Sequence, residues 1–252
     1  MSGPVGTDDR QQANSAIGDQ TVYNRKGLKM TREFQKAGGF SAIAMAACYL
    51  IGFAMFIFVL DSSGYSGPSG SVAFAADHAF QLFLTMLVIY VLASLFLIVL
   101  LLALNDRLKA HAPVVMQTAT AVGIIWAAIV LVSGMLSILG ADSVTRLAET
   151  DPERAATVWL AIGIVQNVLG GGTEFVGGVW ITLVSLTGLR HRGLPRALNL
   201  FGLVIGLAGI VTIYPDFEPL NAVFGLSQIV WFLGVGVVML SRKSCELMPS
   251  AA

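Results

Sequence analysis

Six runs of apolar residues, each about as long as a bilayer crossing, follow one another along the chain: 38–60, 79–104, 114–139, 157–189, 197–214 and 220–240. A hydrocarbon core about 30 Å thick takes about 20 residues of α-helix to cross. Inside lipid every backbone N–H and C=O must find its partner within the protein, so such runs form helices rather than open strands. The pattern predicts an all-α fold, a polytopic transmembrane helix bundle with six spans over residues 38–241. A polar tail of residues 1–37 precedes it and a short tail of residues 242–252 follows. Residues 1–20 read as disordered, because their polar composition buries too little to order a chain. The fourth run, 33 residues long, exceeds one crossing, and Gly170-Gly171-Gly172 is expected to divide it. Residues 157–169 then form an outer or tilted section and 172–189 most of the crossing, with a kink between them. The fifth run is short.

The connections between these runs differ sharply in charge. Arg10, Arg25, Lys26, Lys29, Arg32, Lys36, Arg107, Lys109, Arg190, Arg192, Arg196, Arg242 and Lys243 all fall on one side if there are six spans. The opposite connections hold only Arg146 and Arg154, with most of the acids: thirteen of the fifteen positive residues share one face. Lys and Arg collect in cytoplasmic loops. Both termini are therefore expected in the cytoplasm of a multi-pass protein of the cytoplasmic, or inner, membrane. Of the outer connections, 61–72 is rich in Ser and Gly and reads as flexible. Residues 141–156 are polar and suit a short surface helix. Asp151-Pro152-Glu153 suits a helix start, with proline and acid at the positive end.

Composition agrees and narrows the chemistry. Charged residues are only 12% of the chain, against about 25% in soluble domains. The net charge of zero offers no basic field, so nucleic acid is not a partner. Cys48 lies in an apolar run and Cys245 in the tail, which suits two free thiols, the first a small packing residue. The first apolar run begins after a polar stretch of 37 residues, too late for a cleaved signal peptide. No phosphate loop, dinucleotide glycine fingerprint, nucleophile elbow or paired haem histidines appear. No cofactor is expected, and no catalytic residue can be assigned.

Helices in lipid pack closely through small residues. Such residues recur every fourth position at Ala44, Cys48 and Gly52, at Ala119, Gly123 and Ala127, and at Gly202 and Gly206 with Gly209 beyond. They suit packing within the bundle, with a homo-oligomer face as the alternative.

Glu174 is the one acidic or basic residue inside any apolar run. An ionisable group at that depth is costly and marks a candidate site. Gln166, Gly170, Glu174, Gly178 and Thr182 share one face at steps of four, polar or small throughout, so Glu174 is expected to face the bundle interior. Its candidate partners are Gln228, Asn221 and Gln81. The bland alternative is a structural hydrogen bond between helices. On the outer side Asp77, His78 and Asp216 are candidate metal ligands, although one histidine is fewer than catalytic zinc usually takes. Trp126 and Trp231 lie mid-run, away from the interfacial belt, where they pack the core or line an apolar cavity. Trp159 suits an interface. His111 and His191 fall in cytoplasmic loops without an evident partner.

The stretch Ala46-Ala47-Cys48-Tyr49-Leu50-Ile51-Gly52 resembles the opening helix of a family of short, uncharacterised bacterial six-span membrane proteins, a domain of unknown function. Gly193-Leu194-Pro195-Arg196-Ala197-Leu198, followed by Gly202 and Ala208-Gly209, is similar to that family's turn into its fifth helix, with Asn199 standing where glycine is expected. The resemblance implies a bacterial cytoplasmic membrane and six spans, and no activity. Three functions stay open. The first, favoured, is a non-enzymatic membrane protein binding a hydrophobic ligand or a membrane protein partner within the lipid bilayer. The second is an intramembrane metal-assisted hydrolase, the third a small proton-coupled carrier using Glu174.

Overall fold

The computed structural model describes residues 8–191, 193–217 and 220–241, with side chains from residue 32 onward except those of 170–172 and 215. Among them the chain is helical without strands: α1 (Asp8–Phe58), α2 (Gly67–Asp77), α3 (Ala79–Met86), α4 (Ala93–Leu108), α5 (Pro113–Ala148), α6 (Pro152–His191), α7 (Arg196–Val211) and α8 (Leu220–Leu240). A π-helical stretch, Leu87–Leu92, joins α3 to α4, and a 3-10 turn, Pro215–Phe217, precedes α8. Five segments are long and apolar enough to cross a membrane: Arg32–Phe58, Ala79–Leu108, Pro113–Ala148, Pro152–His191 and Leu220–Leu240. This marks a multi-pass membrane protein. The fifth run forms a shorter apolar helix of 16 residues, α7.

The long helices pack in chain order and close on themselves. α1 lies against α4 and α8, α4 against α5, α5 against α6, α6 against α7, and α7 against α8. Where α5, α6 and α8 face inward, Trp126, Trp180, Trp231, Phe224 and Phe232 are fully buried. Their rings interlock, with Trp180 5.7 Å from both Trp126 and Trp231, and Trp126 6.3 Å from Phe232. Trp126 and Trp231 thus pack the core rather than line a cavity. The outward faces carry exposed Val168, Val204 and Val237, as lipid contact requires.

α6 and α7 approach closely. A Cβ on Gly178 would lie 2.6 Å from the Gly206 carbonyl oxygen, and one on Gly206 would lie 2.8 Å from that of Gly178. Only glycine lets the two backbones meet. Gly202 rests on Ser185 and Trp231, Gly123 on Leu101 and Trp180, and Gly52 on Ile89. These glycines are occupied by contacts inside the bundle.

Three local expectations are corrected. First, α6 runs unbroken through Gly170–Gly172 for 40 residues. Its hydrogen-bond ladder survives three poor helix formers, because packing along α5 and α7 outweighs a propensity cost of about 1 kcal/mol per glycine. Second, the Ser/Gly-rich connection is not all loop, since α2 begins at Gly67. Gly67 takes φ +69°, a left-handed value that glycine adopts freely. Pro68 then sits in the first turn, and Val72 packs against Val144 and Ala155. Third, 141–156 is no separate surface helix: α5 extends to Ala148, and α6 starts at Pro152. Asp151 caps that start, its Oδ1 accepting the Arg154 N–H at 3.1 Å. At the other end, α1 is already helical at Asp8, where composition predicts disorder. Extending an existing helix costs far less than nucleating one. Residues 1–7, Arg192 and the 242–252 tail with Arg242, Lys243 and Cys245 lie outside the described residues.

Asn199, the departure from the resembled pattern, is fully buried and donates from Nδ2 to the Leu194 carbonyl at 3.0 Å. With Arg107 Nε donating to the Gly193 carbonyl at 2.8 Å, it ties the turn into α7.

Candidate functional site

At 1.5 Å per residue, the 36 residues of α5 and 40 of α6 make helices of about 54 and 60 Å, nearly twice a hydrocarbon core. Their far ends form a hairpin against which α2 lies. Between this hairpin, α3 and the π-helical stretch opens a cavity of about 670 Å³. Leu82, Phe83, Met86, Ile138 and Ile162 make its apolar walls. Phe74 and Trp159, also of the wall, pack beside the α2 contact. The polar groups of the lining include Tyr90, Ser137, Asp142, Thr145, Gln166 and Asn167. A cavity with apolar walls and few polar groups is the usual build of a small-molecule site.

Several of these polar groups are held in place. Gln166 Nε2 donates to the Ser133 carbonyl at 3.0 Å and to Ser137 Oγ at 2.5 Å, crossing from α6 to α5. Asp142 pairs with Arg146 one turn along α5, at 3.0 Å. Gly163 leaves space: a Cβ there meets nothing within 4 Å.

Tyr90 links the cavity to the bundle interior. It sits in the π-helical stretch, a rare geometry that recurs at functional sites. Gly134 of α5 backs it, since a Cβ there would strike the Tyr90 side chain. Tyr90 also packs against the buried core, and so does Tyr49 of α1. Glu174 Oε2 is buried, with no hydrogen-bond partner among the described residues. Neither phenol was singled out in the sequence. The signal was there: Tyr49 and Tyr90 both fall mid-run, where an interfacial aromatic does not belong. Asp142 and Asn167 could not be found that way, because their apposition depends on how far α5 and α6 extend.

The remaining sequence-nominated residues scatter. Thr182 packs on Gly206 and Gln228 is buried on α8. Buried oxygens of Thr182, Gln228 and Asn221 lack hydrogen-bond partners among the described residues, and none of the three bonds to Glu174. Gln81 is half-buried on α3, where its backbone carbonyl accepts Thr85 Oγ1 at 2.7 Å. The metal set does not assemble: among the described residues no three His, Cys, Asp or Glu side chains come together to hold an ion. Asp77 instead accepts the Tyr65 hydroxyl at 2.7 Å, and His78 stacks on Phe74 at 4.6 Å. Asp216 is exposed in the 3-10 turn. His111 and His191 do find a partner, each other, with rings stacked at 5.2 Å.

No protein-family model, no curated protein and no solved structure matches the chain.

Proposed function

We propose that the chain is a six-span protein of the cytoplasmic membrane, with both tails inside, that binds an amphiphilic small molecule in the cavity between its second, third and fourth spans. The carrying observation is the cavity itself, about 670 Å³, its lining made of apolar residues such as Leu82, Phe83, Met86, Ile138 and Ile162 and of polar ones, Asp142, Thr145, Gln166 and Asn167. A hydrocarbon body fits the first set and a polar head the second. α7 serves as the fifth span. Its 16 residues rise about 24 Å. An even number of spans returns both basic tails to one side, as the Lys and Arg distribution asks. A bacterial inner membrane is the setting implied by the resemblance in residues 46–52 and 193–209. Ligand binding is preferred to metal-assisted hydrolysis because Asp77, His78 and Asp216 are engaged elsewhere or apart.

Gly163→Trp tests the reading, because it fills the cavity from a position with free space around it. Native mass spectrometry of the purified full chain should show a bound amphiphile in the wild type. The variant should lose it at an unchanged melting temperature. Equal retention by both proteins, or no bound amphiphile in either, would defeat the proposal.

A further inference from the structure

We propose that the stretch of α1 just before its apolar run is a binding surface for anionic phospholipid. Arg25, Lys29, Arg32 and Lys36 form one basic stripe there, in line with the face that the same helix turns to lipid. This surface stands apart from the cavity and does not depend on it.

Steps of four, three and four residues separate Arg25, Lys29, Arg32 and Lys36, and α1 is helical throughout this stretch. At 3.6 residues per turn the four positions fall within about 60° of one another. The same steps continued lead to Phe40, Ile43, Ala47, Leu50, Ala54 and Phe58. Phe40, Leu50 and Phe58 are 64%, 53% and 82% exposed, which marks this line as the lipid-facing side of the helix. The rotation of α1 is fixed from the bundle side. Ala42, Met45 and Ala46 are fully buried, and Gln35 Nε2 donates to the Ala103 carbonyl at 2.9 Å, while Arg32 and Lys36 are exposed. Glu33, the one acid between residues 25 and 36, falls to the flank of the stripe. At 1.5 Å per residue, Lys36, Arg32 and Lys29 stand about 3, 9 and 14 Å before residue 38, where the apolar run begins. The headgroup layer is about 5–8 Å deep on each side of the hydrocarbon. Lys36 and Arg32 are therefore level with it, given stems that bend toward the interface. Lys29 is within a Debye length of it, about 8–10 Å, and Arg25 adds least. A juxtamembrane cluster of this size attracts anionic headgroups. Because the basic positions and the lipid-facing apolar residues share one line, the anion they meet is the phosphate of a lipid packed on α1, rather than a soluble polyanion.

The test places a reporter on the same face. Phe40→Trp puts an indole one turn from Lys36, and Phe58→Trp puts one at the far end of the line. Each purified full-length variant is reconstituted in vesicles of phosphatidylglycerol and phosphatidylcholine in equal parts, with bromine on the acyl chains of one lipid or the other. Fluorescence quenching beyond that of the unsubstituted protein reports the lipid beside the new indole. For Phe40→Trp, phosphatidylglycerol should bind at least about threefold more strongly than phosphatidylcholine, a screened fraction of the attraction of three basic residues. For Phe58→Trp the two lipids should bind equally. Changing Lys29, Arg32 and Lys36 together to Gln in the Phe40→Trp protein should abolish the preference at an unchanged melting temperature, whereas Arg32→Lys, which keeps the charge, should retain it. Raising salt from about 0.1 to 1 M shortens the Debye length from about 10 to 3 Å and should shrink the preference without any substitution. Equal binding of the two lipids at Phe40→Trp, the same preference at Phe58→Trp, or a preference that survives the triple change or high salt overturns the proposal.

Discussion

The seam between α6 and α7 rests on two glycines, and alanine at either should open it. A Cβ on Gly178 would sit 2.6 Å from the Gly206 carbonyl oxygen, 2.8 Å from the Ile210 nitrogen and 2.9 Å from the Gly209 carbonyl carbon. All three obstacles are backbone, so no side-chain rotation relieves them. Restoring ordinary contact means parting the helices by about 1 Å. Overpacking of this kind costs about 1–3 kcal/mol, and rigid obstacles place Gly178→Ala at the upper end, about 2–3. Alanine gains back about 1 kcal/mol of helix propensity, leaving a net loss of about 1–2. Gly163→Ala and Gly225→Ala are the controls, since a Cβ at either meets nothing within 4 Å. They keep the propensity gain and lose nothing. Thermal melting in a neutral detergent, followed by tryptophan fluorescence, should separate Gly178→Ala from these controls. The expected gap is about 4–12 °C, from about 2–4 °C per kcal/mol in a chain of this size. Gly206→Ala should behave alike, with a Cβ 2.8 Å from the Gly178 carbonyl oxygen. The double variant should lose less than the sum, because one parting of the helices accommodates both methyls. A Gly178→Ala protein melting with Gly163→Ala would refute the close approach.

Three further outcomes are expected. With Cys48 and Cys245 changed to alanine, a Ser66→Cys protein in intact cells should react with an impermeant thiol reagent, and a Ser15→Cys protein only after permeabilisation; the reverse pattern would invert the proposed topology. Asp151→Ala removes the acceptor of the Arg154 N–H and should cost about 1 kcal/mol; faster amide exchange at the start of α6, restored by Asp151→Asn, is the check. The hydrogen bond to Asp77 raises the Tyr65 phenol above its ordinary pKa of 10.0. The contact is therefore fully present at neutral pH and is lost only as pH rises past that raised value. In alkaline titration of tyrosinate absorbance, Asp77→Ala should bring the Tyr65 step to lower pH, and an unmoved step would show that the bond does not form.

Hydropathy made the long helices readable, because the cost of an unsatisfied backbone in lipid acts on each segment alone. Five of the six runs are long enough to cross, and the acid-proline start at Asp151 marked the origin of α6 correctly. The 3.6-residue period put Gly178 on a face of small and polar residues, a local property too, and Gly178 is buried against α7. Where neighbours overrule local preference the sequence misled. The glycines at 170–172 suggest a break that packing along α5 and α7 removes, and Gly67–Val72 looks like loop until Val144 and Ala155 offer α2 a surface. The metal set failed for the same reason, since Asp77 and His78 turn to Tyr65 and Phe74 within their own segment. The cavity had no sequence signal at all. It exists because α5 and α6 outrun their neighbours and a π-helical stretch carries Tyr90 to the opening. Hydropathy and period act along one helix at a time. How far one helix extends past the next, and which rings then face one space, is decided only when the helices pack.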